Sequence, residues 1–365
     1  MNFCIASTPG PSSFWHLPAI SHSGVMMIQD IVGSHVTIFH SRTHQPTTAG
    51  TEKSFLRRLS SVTNRMYQPK RAARSEFVRI RTLDYHVLVW GEPAVGKAPI
   101  VMAHGWMDVA ASWQFVVDAL ACDHWVIAPD GRGYGLTESP GSDYFWFLDY
   151  LADLDFLLDH YSPCLSVNLV GHSMGGLIAM LYAGSRPDRI RRLVNLEGFG
   201  LAATRPSMAP RRYAKWMDQL KAFHRGEMEL KAYDSLASVA QRLSKVNGRL
   251  TQDKADWLAA HWARPDEQGR WRIVGDAAHK IINPQLFRKD EVLEIYRCIA
   301  APTLAIEGCD NSLSQWWQDR YTLAEYHDRL KSVPDCRIAK VCDAGHMLHH
   351  DQPEQVAELI DAFVA

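Results

Sequence analysis

A serine with a glycine two positions before it and another two positions after it is the first residue whose surroundings point to catalysis. Ser173 lies at the centre of the sequence GHSMG (residues 171–175), which follows an apolar run at 165–170 and precedes an apolar helical stretch. Small residues permit a sharp turn between a strand and a helix, and such a turn presents the serine hydroxyl beside the free N–H groups of the helix N-terminus. The pattern therefore predicts that Ser173 is a nucleophile.

A histidine near the end of the chain is the predicted base. A serine hydroxyl attacks efficiently only when a base takes its proton, and the pKa of histidine suits that task near neutral pH. Among the 17 histidines, His346 follows the last apolar run and precedes the C-terminal helical stretch. His346, His349 and His350 share the i, i+3, i+4 spacing of some metal sites, but no further ligand cluster accompanies them in the sequence. We therefore predict no metal here.

Short apolar runs alternate with helical stretches from Phe77 onwards, and one of the predicted helices spans about residues 315–331. This alternation predicts an α/β fold, with a mostly parallel twisted sheet and helices on both faces. The core is expected to comprise residues 76–199 and 298–365. Residues 200–297 break the alternation, are helical in pattern and are too long for a loop, so we expect an inserted helical cap over the carboxyl edge of the sheet. Residues 1–75 are basic, lack periodicity and are expected to be a flexible extension.

Four segments resemble the α/β-hydrolase superfamily and occur in that superfamily's order along the chain. The resemblance covers most of the chain apart from the extension and the cap, and it is closest to the capped branch with a short His-Gly oxyanion motif. It implies a cofactor-free triad of serine, acid and histidine. The segments are VMAHGW (residues 101–106), VIAPDGRGYG (126–135), GHSMGG (171–176) and DAGHM (343–347).

Two backbone N–H groups are expected to stabilise negative charge on the carbonyl oxygen of the substrate. One belongs to Met174, directly after the nucleophile. The other belongs to Trp106, in the loop after the apolar run at 100–103. His104 and Gly105 precede Trp106 and are expected to shape this loop or to line the substrate pocket.

The acid that orients His346 has two candidates. The superfamily usually places an Asp after the strand that corresponds to residues 302–306, but Asn311 occupies that position and Asp310 falls one residue early. Glu197 ends the preceding strand, where some capped relatives carry the acid. Either carboxylate would orient the imidazole and stabilise its protonated form. The position of Glu197 within its segment fits the pattern of those capped relatives better. Asp310, in contrast, follows the strand after which the superfamily more commonly carries the acid.

Tryptophans concentrate in the expected cap and indicate a partly apolar pocket. Aromatic side chains bury large apolar areas and often line ligand sites. We expect Trp216 and Trp262 to line the pocket, and the partner to be a small-molecule substrate with an apolar portion. The cap also carries many basic residues, which we interpret as solvated surface although a carboxylate-bearing substrate would suit them. They include Arg205, Arg211, Arg212, Arg270 and Arg272.

Composition argues against several other classes of protein. The net charge of −1 gives no overall field that favours nucleic acid, and no apolar run reaches the 18 residues typical of a membrane span. The seven cysteines are scattered and form no CxxC pair, which indicates a reducing, cytoplasmic compartment.

These observations together predict a serine hydrolase that cleaves a carboxylic ester, thioester or lactone through an acyl-enzyme on Ser173, without a cofactor. A nucleophilic serine argues against the branches of the superfamily whose nucleophile is Asp. Two alternatives stay open because a fold does not fix a function. One is C–C bond hydrolysis or cofactor-less oxygenation on the same fold, and the other is a non-catalytic ligand-binding homologue.

Overall fold

Eight of the strands form one mixed sheet at the centre of the fold. The computed structural model describes residues 66–365. In that part of the chain the strands are β1 (Arg74–Ile80), β2 (Leu83–Trp90), β3 (Ile100–Ala103), β4 (Val126–Pro129), β5 (Val167–His172), β6 (Ile190–Leu196), β7 (Ala232–Tyr233), β8 (Ala263–Pro265), β9 (Trp271–Ile273), β10 (Thr303–Gly308) and β11 (Cys336–Val341).

The central sheet has the strand order β1-β2-β4-β3-β5-β6-β10-β11. β2 is antiparallel to both β1 and β4, and the remaining neighbours are parallel. Parallel neighbours need a crossover connection, and helices supply most of these crossovers. The α/β fold class predicted from the sequence is therefore confirmed.

The helices lie on both faces of the sheet. The α-helices of the described residues are α1 (Gln114–Ala119), α2 (Leu148–Tyr161), α3 (Met174–Ser185), α4 (Ala209–His224), α5 (Leu236–Val246), α6 (Gln252–Trp262), α7 (Lys289–Arg297), α8 (Ser312–Trp317), α9 (Leu323–Leu330), α10 (Leu348–Asp351) and α11 (Pro353–Val364). No described helix is long and apolar enough to cross a membrane.

Alternate residues of the buried strands enter different apolar clusters. Met102 of β3 belongs to a cluster that includes Val356 of α11, whereas its neighbour Val101 belongs to a cluster that includes Leu154 of α2 and Ile178 of α3. Successive side chains of a strand point to opposite faces, so a strand covered by helices on both sides is apolar throughout. This explains why β3 is a continuous apolar run in the sequence.

One predicted helix is two helices in the structure. The stretch at 315–331 contains α8 and α9, and Gln318 between them has a φ of 51°. Left-handed backbone cannot continue a right-handed helix. α9 then starts at Leu323, and the preceding residue Thr322 caps it, because the Thr322 hydroxyl accepts a hydrogen bond from the Glu325 N–H at 3.2 Å.

The insertion at 200–297 contains more than the predicted helices. It includes α4 to α7 and also a three-stranded antiparallel sheet with the order β7-β9-β8. These strands have only two or three residues each. That length is too short to show the alternation of apolar and polar residues by which strands are recognised in a sequence.

The described end of the predicted N-terminal extension packs against the fold. Asp118 of α1 accepts hydrogen bonds from the Tyr67 hydroxyl at 2.6 Å, the Lys70 N–H at 3.0 Å and the Arg71 N–H at 2.8 Å. Residues 66–75 are therefore held in place, contrary to the predicted boundary at residue 75. The remainder of the predicted extension lies outside the described residues.

Candidate active site

The carboxyl edge of the central sheet collects the residues singled out by the sequence. β5 is followed by Ser173, β6 by Glu197, β10 by Asp310 and β11 by the loop that carries His346. Parallel strands end at a common edge, so residues distant in the chain become neighbours there.

Ser173 lies on a strained turn between β5 and α3. Its φ and ψ are 52° and −114°, and its N–H donates a hydrogen bond to the Leu196 carbonyl oxygen at 2.9 Å. A Cβ atom on Gly171 would lie 2.3 Å from the Gly175 oxygen, and one on Gly175 would lie 2.3 Å from the Ala103 oxygen. The glycines are therefore required by close backbone approach, and the turn holds a conformation that costs free energy and is typical of functional sites.

Glu197, and not Asp310, contacts the imidazole of His346. Glu197 Oε2 lies 2.8 Å from His346 Nδ1, while its Oε1 accepts a hydrogen bond from the Gly308 N–H at 2.9 Å. Asp310 instead pairs with Arg249 at 2.8 Å, and both side chains of that pair are 42% exposed. The carboxylate that has the geometry to orient the imidazole is therefore the one at the end of β6.

Burial affects the two members of this pair in opposite directions. Desolvation lowers the pKa of His346 below its ordinary value, so the imidazole is neutral near pH 7 and able to accept a proton. Desolvation also raises the pKa of Glu197, and the hydrogen bond from the Gly308 N–H opposes that rise. The Glu197 side chain is 1% exposed, so its second oxygen needs the partner that Gly308 supplies.

His172 connects the serine turn to the histidine loop. Its Nε2–H donates a hydrogen bond to the His346 carbonyl oxygen at 2.8 Å, and the two rings lie 4.7 Å apart. Among the described residues no hydrogen bond joins Ser173 Oγ to the His346 ring. Catalytic hydrogen bonds of this kind often become short only when substrate is bound.

The loop after β3 approaches the serine turn closely. A Cβ atom on Gly105 would lie 3.3 Å from the Cβ atom of Ser173. His104 Nδ1 donates to the Gly105 carbonyl oxygen at 2.8 Å, and its Nε2 accepts from the Gly131 N–H at 2.8 Å, which fixes the ring's tautomer. His104 therefore supports the loop and does not line the large cavity described next, and Gly105 is also outside its lining.

The two predicted oxyanion N–H groups have no acceptor among residues 66–365. The amides of Trp106 and Met174 make no hydrogen bond to an acceptor of the described residues. Met174 is the first residue of α3, where backbone N–H groups have no partner inside the helix. Both amides are thus free to bind an oxygen of a ligand.

A cavity of about 680 Å³ opens above Ser173, and Glu197 and Met174 contribute to its lining. This volume lies in the usual range for small-molecule sites. Most of the lining is apolar, and it combines residues of the core with residues of the insertion. The aromatic and aliphatic members include Phe147, Leu148, Phe199, Phe287, Trp316 and Trp317.

The two tryptophans predicted to line the pocket lie elsewhere. Trp216 packs against Tyr144 with ring centroids 5.9 Å apart, and Trp262 donates its indole N–H to Asp108 at 3.2 Å. Neither belongs to the lining of the cavity. Their prediction rested on residue type, which does not specify the direction of a side chain on its helix.

Sequence reasoning missed an aromatic pair at the end of α8, the helix that follows β10. Trp316 and Trp317 belong to α8, outside the insertion, and both line the cavity. The Trp316 ring also lies edge-on to the His346 ring, with centroids 4.0 Å apart. The available signal was their place shortly after a strand that ends at the carboxyl edge.

The sheet order, the serine turn and the histidine loop define a protein of the α/β-hydrolase class. A sequence profile of the Alpha/beta hydrolase family matches residues 100–359. The match covers more than half of the chain, and the chain belongs to this family of hydrolases.

Three similar proteins illustrate the breadth of the family. A Drosophila melanogaster protein described as a probable serine hydrolase is 31% identical over 75% of this chain and 82% of its own length. The cis-3-alkyl-4-alkyloxetan-2-one decarboxylase of Shewanella oneidensis is 26% identical over 73% of this chain and 81% of its own length. Among solved structures, the thioesterase domain from the curacin biosynthetic pathway has a TM-score of 0.69 at 22% identity, over 79% of this chain and 99% of its own.

Proposed function

We propose that the protein is a serine hydrolase that cleaves a carboxylic ester, thioester or lactone. The observation that carries the proposal is the 2.8 Å contact between His346 and the buried Glu197, beside a cavity that Ser173 lines. A base oriented by a carboxylate next to a serine on a strained turn is the arrangement used for acyl transfer.

The proposed reaction proceeds in two steps. In the first, Ser173 Oγ attacks the substrate carbonyl carbon while His346 Nε2 takes the hydroxyl proton. The amides of Trp106 and Met174 stabilise the resulting oxyanion, and the imidazolium returns its proton to the leaving group. In the second step, water loses a proton to His346 and attacks the acyl carbon, and the imidazolium returns that proton to Ser173 Oγ as the bond to the serine breaks and the acid is released. Glu197 stabilises the imidazolium in both steps.

Similar proteins support this choice of chemistry. One relative is described as a probable serine hydrolase, and one structural neighbour is a thioesterase domain. Another relative is named a decarboxylase of an alkyl-substituted oxetan-2-one, so it supports a lactone as the substrate class but not its hydrolysis. The apolar lining of the cavity suits the alkyl portion of such substrates.

A fluorophosphonate probe and a panel of acyl substrates test the proposal. We expect the probe to label the wild-type protein and not the Ser173→Ala variant, because the probe reacts with an activated serine. We also expect turnover of p-nitrophenyl esters and thioesters, with a preference set by acyl chain length. Absence of both labelling and turnover at every chain length would favour the C–C hydrolase, oxygenase or ligand-binding alternatives.

Arg288 and Glu291 line the mostly apolar cavity as a pair 3.9 Å apart, and Arg212 adds a second cation to the lining. Its Nε donates a hydrogen bond to the Asn283 carbonyl oxygen at 2.6 Å, and it forms no ion pair with a carboxylate of the described residues. Burial lowers the pKa of Arg212, which indicates that its charge is poorly solvated. We expect the substrate to carry an anionic or strongly polar group that this guanidinium binds.

We expect Arg212→Met to weaken binding of esters that end in a carboxylate but not of neutral esters of equal length. A hydrogen bond to a charged group contributes about 1.5–3 kcal/mol, which corresponds to a rise in KM of roughly 10- to 150-fold. Arg211→Met is the matched control because Arg211 is exposed and does not line the cavity. Equal effects of Arg212→Met on both kinds of ester would contradict the assignment.

A further inference from the structure

Three buried side chains behind the serine turn converge, and each has a polar atom without a hydrogen-bond partner among the described residues. Asp108, His172 and His349 are 3%, 2% and 0% exposed, and one ligand atom from each lies within 4.8 Å of those of the other two. None of the three lines the large cavity. Asp108 Oδ2, His172 Nδ1 and both ring nitrogens of His349 have no hydrogen-bond partner in the described part of the chain. Buried polar atoms rarely lack a hydrogen-bond partner, so we expect a ligand to be bound between these three side chains.

Asp108 is oriented so that one oxygen faces the two imidazoles. Its Oδ1 accepts hydrogen bonds from the Val109 N–H at 2.8 Å, the Trp262 indole N–H at 3.2 Å and the Ser112 hydroxyl. Its Oδ2 lies 3.8 Å from His349 Nε2, which is too long for a hydrogen bond. Three donors on one oxygen fix the carboxylate and leave the other oxygen available.

His172 presents a lone pair to the same space. Its Nε2 contacts a carbonyl oxygen of His346 at 2.8 Å, and a carbonyl can only accept, so Nε2 carries the proton. Nδ1 is then the unprotonated nitrogen. A histidine that ligates a metal typically donates its other N–H to a carbonyl or a carboxylate in this way.

We propose that Asp108, His172 and His349 form a binding site for a divalent transition metal ion of the zinc class. This ligand set differs from His346, His349 and His350, for which the sequence predicted no metal. Two imidazole nitrogens and one carboxylate oxygen are ligands that zinc prefers, and three protein ligands leave a fourth position for water. Tetrahedral zinc with bonds of 2.0–2.1 Å separates its ligand atoms by roughly 3.4 Å. The observed separations therefore require only small side-chain movements.

Zinc titration of the full-length protein by calorimetry tests the site, after treatment with a chelator. Residues 1–65 contain five further histidines that are also able to bind zinc. The informative quantity is therefore the difference in zinc stoichiometry and affinity between the wild type and the variants. We expect Asp108→Asn and His349→Gln each to lose one zinc site or to weaken it by at least roughly 100-fold, since removal of even an outer-sphere partner costs 10- to 100-fold. We also expect zinc to raise the Tm of the wild type and not of these variants.

His124→Gln is the matched control. His124 lies near Cys122 and Asp361 in a second group of metal-binding residue types, but its Nε2 already contacts Asp361 Oδ1 at 2.6 Å. We expect this variant to retain the wild-type number of zinc sites and the rise in Tm.

A spectroscopic measurement on the wild type covers the case in which a variant fails to fold. With one equivalent of zinc bound, X-ray absorption is expected to show two imidazole ligands and one carboxylate. Equal zinc stoichiometry and affinity in wild type, Asp108→Asn and His349→Gln would overturn the proposal, and so would a spectrum without imidazole ligands. Ordered water would then be the ligand of the cluster.

Discussion

Ser173→Ala is expected to reduce kcat for any ester that the wild type turns over by at least about 10⁴-fold. The substitution removes the attacking oxygen, and loss of a triad nucleophile leaves only the contribution of substrate binding and the oxyanion hole. Steady-state kinetics with a p-nitrophenyl ester measures the effect. Ser185→Ala is the matched control, because Ser185 ends the same helix and its hydroxyl only donates to the Leu181 carbonyl oxygen at 2.8 Å.

The same position tests whether the turn is strained. Ser173 has a φ of 52°, a region that glycine adopts far more readily than other residues. We expect Ser173→Gly to be more stable than Ser173→Ala by about 1–2 kcal/mol in urea unfolding, although both are inactive. A Ser173→Ala variant with more than a tenth of wild-type kcat would show that another residue is the nucleophile.

Glu197→Gln is expected to reduce kcat by roughly 10³- to 10⁴-fold while the protein stays folded. The amide keeps the size of the side chain and an acceptor for the Gly308 N–H, but it cannot stabilise the imidazolium of His346. A neutral amide beside Nδ1 also permits the tautomer of His346 that carries its proton on Nε2, and this tautomer cannot accept the serine proton at Nε2. The measurement is kcat with the same ester, accompanied by thermal unfolding to verify the fold.

Asp310→Asn serves as the opposing variant in that experiment. Asp310 pairs with Arg249 at an exposed position, and such pairs contribute about 0–1 kcal/mol to stability. We expect kcat to change by less than about threefold. If Asp310→Asn abolishes activity while Glu197→Gln retains it, the contact between Glu197 and His346 is structural and the acid has been assigned wrongly.

The fold was predictable because its signals are local and strong. The buried strand β3 is a continuous apolar run, and its bounds in the structure coincide with the run at 100–103. The small sheet of the insertion was not predicted, since β7, β8 and β9 are too short to carry a periodic pattern. The break after α8 was also missed, because its cause is the positive φ of Gln318.

The residues that line the cavity could be predicted from the sequence only in part. The abundance of tryptophan indicated an apolar pocket, yet Trp216 and Trp262 pack within the protein while Trp316 and Trp317 line the cavity. The type of a residue determines how much apolar area its side chain can bury. The direction of its side chain depends on how its helix is docked, and docking is a property of the whole fold.

The sequence alone determined the fold class and the predicted roles of Ser173 and His346, because each lies in a motif whose neighbours impose its backbone geometry. The tertiary structure decided which carboxylate faces His346, since Glu197 and Asp310 end adjacent strands and differ only in where their side chains point. It also assembled Asp108, His172 and His349 from three distant segments. Contacts between residues far apart in the chain arise only when the sheet is formed, so spacing within the sequence cannot reveal them.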